Sequence, residues 1–185
     1  MTIAGLAGSL REASFNKALL AACGELAPAG MTIEPHTLHG VPPFNEDDEK
    51  QGTPEAVERL RAAVRGADAL LVATPEYNAG VPGVLKNAID WLSRPAGRSA
   101  LQAKPVAVLG VSPGTLGTAR AQAHLRAAFE FNACPVLPSP QVFVGGARDK
   151  FDATLRLTDE KTRAFVAKFL VAFDVWVRKN AAPAR

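Results

Sequence analysis

At 185 residues the chain is long enough for one domain with a sizeable core and short for two. Hydrophobic residues at 48% and charged residues at 21% exclude a disordered or fibrous chain, and no apolar run approaches the roughly 18 to 20 residues that a bilayer span needs. The net charge of +3 and pI near 9.1 lean towards anionic ligands, but the basic residues are spread out and not interleaved with aromatics, which argues against a nucleic-acid footprint.

The amino terminus lacks the basic start and cleavage site of a secretory leader, so the expected compartment is the cytoplasm. An apolar strand, Ile3 to Ala7, runs into Gly8-Ser9-Leu10-Arg11-Glu12-Ala13-Ser14-Phe15-Asn16, which opens a helix carrying Ala21, Ala22 and Leu26. The first N–H groups of a helix have no intrahelical acceptor, and the helix dipole adds positive potential there, so this end suits a phosphate. Ser9, Ser14 and Asn16 offer side-chain donors and Arg11 a countercharge. The plainer alternative is that Ser14 is only an N-cap and Arg11 a solvated side chain.

Ala27 to Gly30 stops that helix, and Met31 to Leu38 alternates as a short or edge strand. The stretch from Gly40 to Gly52 reads as a long loop, with Glu46-Asp47-Asp48-Glu49 as a solvated acidic run. Thr53 is a plausible N-cap ahead of Pro54, for a helix burying Val57, Leu60, Ala63 and Val64. Ala67 to Thr74 is a nearly continuous apolar run, as in a parallel strand covered on both faces. It ends in Pro75-Glu76-Tyr77-Asn78, and from Pro82 a helix follows whose apolar surface is broad enough to suggest a partner subunit. A fourth strand, Pro105 to Val111, leads through Ser112 to Arg120 into another helix. Pro135 to Pro138 with Val142 to Val144 supply a fifth strand, Gly145 to Asp159 a surface loop, and Thr158 to about Lys179 the last helix. One domain over residues 1 to 180 with a frayed tail at 181 to 185 is expected.

Cys23 and Cys134 read as buried apolar side chains, and His36, His39 and His124 are scattered, so no metal site is expected. Trp91 and Trp176 lie on apolar helix faces, which favours core or interface positions. The alternation of strands and helices implies a doubly wound α/β fold with helices on both faces of a parallel sheet. In such a sheet, loops after the first and third strands meet where ligands bind. Neither Gly-x-Gly-x-x-Gly after a strand nor Gly-x-x-x-x-Gly-Lys-Ser/Thr is present, so a nicotinamide dinucleotide has no fold of its own here.

Gly8-Ser9-Leu10-Arg11-x-x-Ser14-x-Asn16, followed some 60 residues later by Pro75-Glu76-Tyr77-Asn78-x-x-x-Pro82-Gly83-x-Leu85-Lys86-Asn87-Ala88-Ile89-Asp90-Trp91, resembles the NADPH-dependent FMN reductase family, and within it the bacterial chromate and quinone reductase branch. The likeness extends to about residue 178. It implies a flavodoxin-like three-layer sandwich with strand order 2-1-3-4-5 and FMN at the carboxyl edge of the sheet. By resemblance, Ser9, Arg11, Ser14, Phe15 and Asn16 hold the phosphate end, while Pro75, Glu76, Tyr77 and Asn78 lie along the isoalloxazine with a backbone N–H near Glu76 facing N5. Ser112, Gly114 and Gly117 close over the pyrimidine side, where glycine lets backbone donors approach. The implied function is hydride transfer from NADPH or NADH to FMN N5, with no catalytic side chain, then ping-pong reduction of quinones, free flavins, azo compounds or oxyanions such as chromate. A homodimer or homotetramer is implied as well. An FMN-binding electron carrier without nicotinamide turnover is the rival. A flavin-free hydrolase or phosphate-binding domain on the same fold is a third reading, with no Ser-His-Asp or Gly-x-Ser-x-Gly arrangement to support it.

Overall fold

The computed structural model describes residues 1–180; the expected frayed tail at 181 to 185 lies outside the described residues. The elements run β1 (Thr2–Ala7), α1 (Phe15–Leu26), β2 (Thr32–His36), α2 (Glu46–Gln51), α3 (Glu55–Gly66), β3 (Ala69–Ala73), α4 (Gly83–Leu92), β4 (Val106–Val111), α5 (Ala119–Phe131), β5 (Val142–Val144), a 3-10 turn (Ala147–Asp149) and α6 (Glu160–Asn180). All four strand pairings are parallel, in the order β2-β1-β3-β4-β5. This is the flavodoxin-like order expected above. The chain steps from β1 to one neighbour, β2, and then crosses back to the other, β3, so the strand order reverses between β1 and β3.

Period-2 alternation divides the side chains of the sheet between two cores. Ile3, Ala69, Leu71, Ala73, Ala107 and Leu109 face one layer, where Leu19, Leu20 and Cys23 of α1 meet Phe169, Leu170 and Phe173 of α6. Ala4, Leu6, Leu70, Val72, Val106 and Val108 face the other, against Leu60 and Val64 of α3, Leu85, Ile89 and Leu92 of α4, and Leu125 and Phe129 of α5. Burial on both faces explains why the third and fourth strands are unbroken apolar runs, each large side chain contributing roughly 1.5–3 kcal/mol. Both cysteine thiols lie in these cores, and burial pushes each up to about 12.

Three expectations need correction. The acidic run is not a solvated loop but α2, started by Asn45, whose side chain accepts the Asp47 N–H. Carboxylates in a first turn favour the helix dipole. Glu49 turns inwards between Arg61 and Arg94, and Arg61, only 2% exposed, also donates to Trp91 O and lies over the Trp91 ring. Thr53 does not cap α3; its hydroxyl accepts from Arg61, and Pro54 occupies the cap position without a side-chain bond. The apolar breadth of α4 is not a partner surface, because Trp91 is fully buried, packs edge-on against Phe44 and donates to Pro42 O, while Asn87 bonds both Phe44 N–H and Pro42 O. The 41–51 segment covers that face within the chain.

Candidate functional site

The loop after β1 reaches α1 through Ser14, whose backbone is extended (φ −89°, ψ 123°) and whose hydroxyl accepts from Asn16 N–H and Lys17 N–H at 3.3 and 3.5 Å. Ser9 Oγ accepts the Arg11 N–H at 3.3 Å and lies 3.4 Å from the Tyr77 hydroxyl, which joins this loop to the one after β3. Gly8 N–H donates to Ala73 O, fixing the loop's root to β3. Both serines are buried, while the N–H groups of Glu12, Ala13 and Phe15 find no acceptor among the described residues. Buried hydroxyls and unpaired donors at a helix N-terminus are the donor set that a phosphate takes up.

Asn16 is not one of those free donors. Its Nδ2 donates to Val111 O at 2.9 Å and its Oδ1 accepts Val111 N–H at 3.0 Å, so the amide ties the start of α1 to the end of β4. Val111 and Pro113 thereby enter the site, although no sequence signal singles them out.

After β3, Tyr77 and Gly80 exchange backbone hydrogen bonds of 3.1 and 2.9 Å around Asn78 (φ 50°) and Ala79 (φ 60°), a two-residue turn with both central residues left-handed. Asn tolerates that conformation; Ala79 bears roughly 1 kcal/mol of strain in it. Tyr77 is 51% exposed at the rim. Glu76 N–H has no acceptor among the described residues. The Glu76 side chain, only 6% exposed, reaches the N-terminus of α5: one oxygen accepts Arg120 N–H (2.9 Å) and Ala121 N–H (3.1 Å), the other Arg120 Nε–H (2.6 Å) and its Nη2. Burial alone would raise this carboxyl; the bonds from the Arg120 side chain and the two backbone N–H groups, with the guanidinium charge, outweigh it and hold it below the usual glutamate value. No local sequence signal shows this, since Thr118 is a residue type that usually caps a helix; in the structure it starts α5 without a side-chain cap, leaving donors for an acceptor from elsewhere.

The loop after β4 closes on itself and on β5. Ser112 Oγ donates to Gly117 O at 2.6 Å. Gly117 sits at φ +60°, and a Cβ there would lie 2.9 Å from Phe143 C, so glycine is required for the approach to β5. Gly114 O accepts the Gly146 N–H. Of the three loop residues expected at the ligand, Ser112 lines the cleft between these loops, while Gly117 packs against β5 and the Gly114 carbonyl is bonded to Gly146.

These loops enclose a cleft of about 200 Å³ lined by Ser9, Arg11, Ser14, Phe15, Asn16, Pro75, Glu76, Tyr77, Val111, Ser112 and Pro113. Asn78, Gly114 and Gly117 lie outside its lining. A larger groove of about 420 Å³ between α1 and β2 is lined mainly by apolar side chains such as Leu20, Ile33 and Pro35, and it shares only Ser9 with the cleft. The smaller space is the better candidate because it sits at the strand-order reversal and is lined by Phe15 and Glu76, whose N–H groups have no acceptor among the described residues.

The family model for NADPH-dependent FMN reductases matches residues 1–149. The chain belongs to the NADPH-dependent FMN reductase family. Over 177 residues it is 48% identical to an NAD(P)H-dependent FMN reductase of Pseudomonas aeruginosa, covering 96% of this chain and 95% of that one. It is 42% identical over 181 residues to a quinone reductase of Pseudomonas putida, at 98% and 97% coverage. The structure of the flavoenzyme NAD(P)H:(acceptor) oxidoreductase FerB from Paracoccus denitrificans superimposes with a TM-score of 0.90 at 36% identity, covering 98% and 99% of the two chains. Family and fold thus agree with the cleft's chemistry: the residues present fit a flavin mononucleotide, with phosphate donors at one end and backbone of the Pro75–Gly80 turn at the other.

Proposed function

We propose that the chain is an FMN-dependent NAD(P)H oxidoreductase that passes reducing equivalents to quinones, with free flavins, azo compounds and chromate as further acceptors. The observation that carries it is the cleft at the strand-order reversal, where phosphate-type donors and the Glu76 turn face one another in a chain 48% and 42% identical to an FMN reductase and a quinone reductase. Bound FMN supplies the hydride acceptor and donor. Ser9, Ser14 and the N–H groups of Glu12, Ala13 and Phe15 bind its phosphate, with Arg11 balancing charge. The Glu76 N–H would donate to the flavin, and Tyr77, exposed at the rim, would border the side from which nicotinamide and acceptor approach. Because nicotinamide and acceptor would use the same open face in turn, they compete for one place and the kinetics are ping-pong, and no side chain of this set is needed as a general acid or base.

Further parts of this reading are one domain over residues 1 to 180, a cytoplasmic location and a homodimer or homotetramer. Tyr77 and Leu116, at 51% and 63% exposure on the loops beside the cleft, support the last. Among the described residues no helix is long and apolar enough to cross a membrane.

Reconstitution with FMN, followed by NADPH and NADH oxidation with and without a benzoquinone, tests the proposal. Steady quinone-dependent oxidation is expected, with parallel double-reciprocal lines. A yellow protein that oxidises neither nicotinamide would replace the enzyme by the electron carrier.

A further inference from the structure

Most exposed ion pairs contribute little, because water screens them and both side chains lose freedom. Glu76–Arg120 differs from such a pair. The carboxylate is 6% exposed although the guanidinium is 57% exposed, and its two oxygens meet only donors, two of them the Arg120 and Ala121 N–H groups in the first turn of α5. Glu76 thus does the work of the missing N-cap of α5, while its own backbone forms the wall of the cleft and the entry to the Tyr77–Gly80 turn. That turn carries left-handed Ala79, a conformation which persists only where the surroundings enforce it.

We propose that Glu76 is a positioning residue of the flavin site: its carboxylate, clamped between the N-terminus of α5 and Arg120, holds the Pro75–Gly80 turn in its ligand-ready shape and cancels their positive potential at the cleft. The proposal rests on the FMN assignment above and goes beyond it by giving the Glu76 side chain, which reaches α5 instead of the ligand space, a defined task. Glutamine does not replace it, since a carboxamide has one acceptor atom and would turn its NH2 towards two donors. Aspartate is shorter by one bond, about 1.5 Å, and cannot span to α5 without moving the turn.

The two effects give separate signals. Loss of the clamp loosens the turn, and loss of the negative charge leaves Arg120 and the α5 dipole uncompensated, which favours the more negative, reduced flavin. Glu76→Gln is therefore expected to weaken FMN binding to the apoprotein about tenfold or more by fluorescence titration. It also accelerates amide hydrogen exchange at Tyr77 and Gly80 in the apoprotein and shifts the flavin midpoint potential upwards. Arg120→Ala keeps the two backbone bonds to Glu76 and removes a positive charge, so binding changes less than about threefold while the potential moves downwards.

A merely structural role would not move the potential in opposite directions. Equal FMN affinity, exchange and potential in Glu76→Gln and the wild type overturn the proposal. If Glu76→Gln does not fold, an Arg120→Ala potential equal to or above the wild type overturns it. A wild-type protein that takes up no FMN overturns the flavin assignment itself, and that outcome is recognised before any variant is made.

Discussion

At the scale of single residues, two of the three asparagines of the recognised motifs, Asn78 and Asn16, do opposite things. Asn78 relieves a turn by tolerating positive φ, whereas Asn16 replaces missing backbone partners at the end of β4. Removing the Asn16 amide leaves Val111 N–H and C=O buried without partners, so Asn16→Ala is expected to destabilise the protein by about 3 kcal/mol in urea denaturation, with or without FMN. Ser14→Ala should act differently: lost capping costs about 1 kcal/mol, and FMN affinity falls about tenfold because a phosphate donor goes with it. A Ser14→Ala protein binding FMN like the wild type would remove Ser14 from the phosphate site. Ser9 and Ser14 were legible in the sequence because strand, polar turn and helix start lie within nine residues. The role of Asn16 was not, because its partner is 95 residues away, and nothing local distinguishes a free amide from one bonded across the sheet edge.

At the scale of elements, the signals that read true were those carried by periodicity over a whole segment: the buried runs of β3 and β4, the amphipathic α3 and the long α6. Elements held by distant partners were misread. The helix α2 spans six residues, far too few to stand alone, and it persists because Arg61 and Arg94 meet its carboxylates. Gly110 marks a similar limit: a Cβ there would lie 2.2 Å from both Thr118 Oγ1 and Thr74 O, so β4, the exit of β3 and the start of α5 pack through a position that appears in the sequence only as a glycine in a strand. Gly110→Ala should cost about 3 kcal/mol or more, seen as a large fall in Tm or loss of the folded protein. The start of α6 gives a pH test. Side-chain bonds from Thr162 and Lys150, then the Thr162 N–H, hold Asp159 down at about 2. Its folded value is depressed, so its contribution is complete above the ordinary aspartate value and lost as pH falls from about 4 to about 2. Thermal unfolding across that window should fall more steeply for the wild type than for Asp159→Asn.

For the whole molecule, the sheet and its two cores explain why the cleft is rigid at its roots and open at its mouth, but they leave the choice of nicotinamide to charge. The chain carries +3 overall, and Glu46 and Glu49 of the acidic α2 are paired with Arg61 and Arg94. Arg11 stands exposed at the cleft, so a polyanionic dinucleotide approaches a surface of favourable sign. Attraction of this kind acts on encounter and is screened over about 8–10 Å at physiological salt. Under the proposed activity, kcat/KM for NADPH should fall as sodium chloride rises. It should fall more steeply than for NADH, which lacks the additional phosphate, while kcat at saturation stays level. Arg11→Ala should flatten both slopes and draw them together, even where excess FMN keeps the site loaded. Parallel salt slopes for the two nicotinamides, unchanged by Arg11→Ala, would mean that the field of the molecule plays no part in choosing between them and that discrimination rests on contacts made after docking.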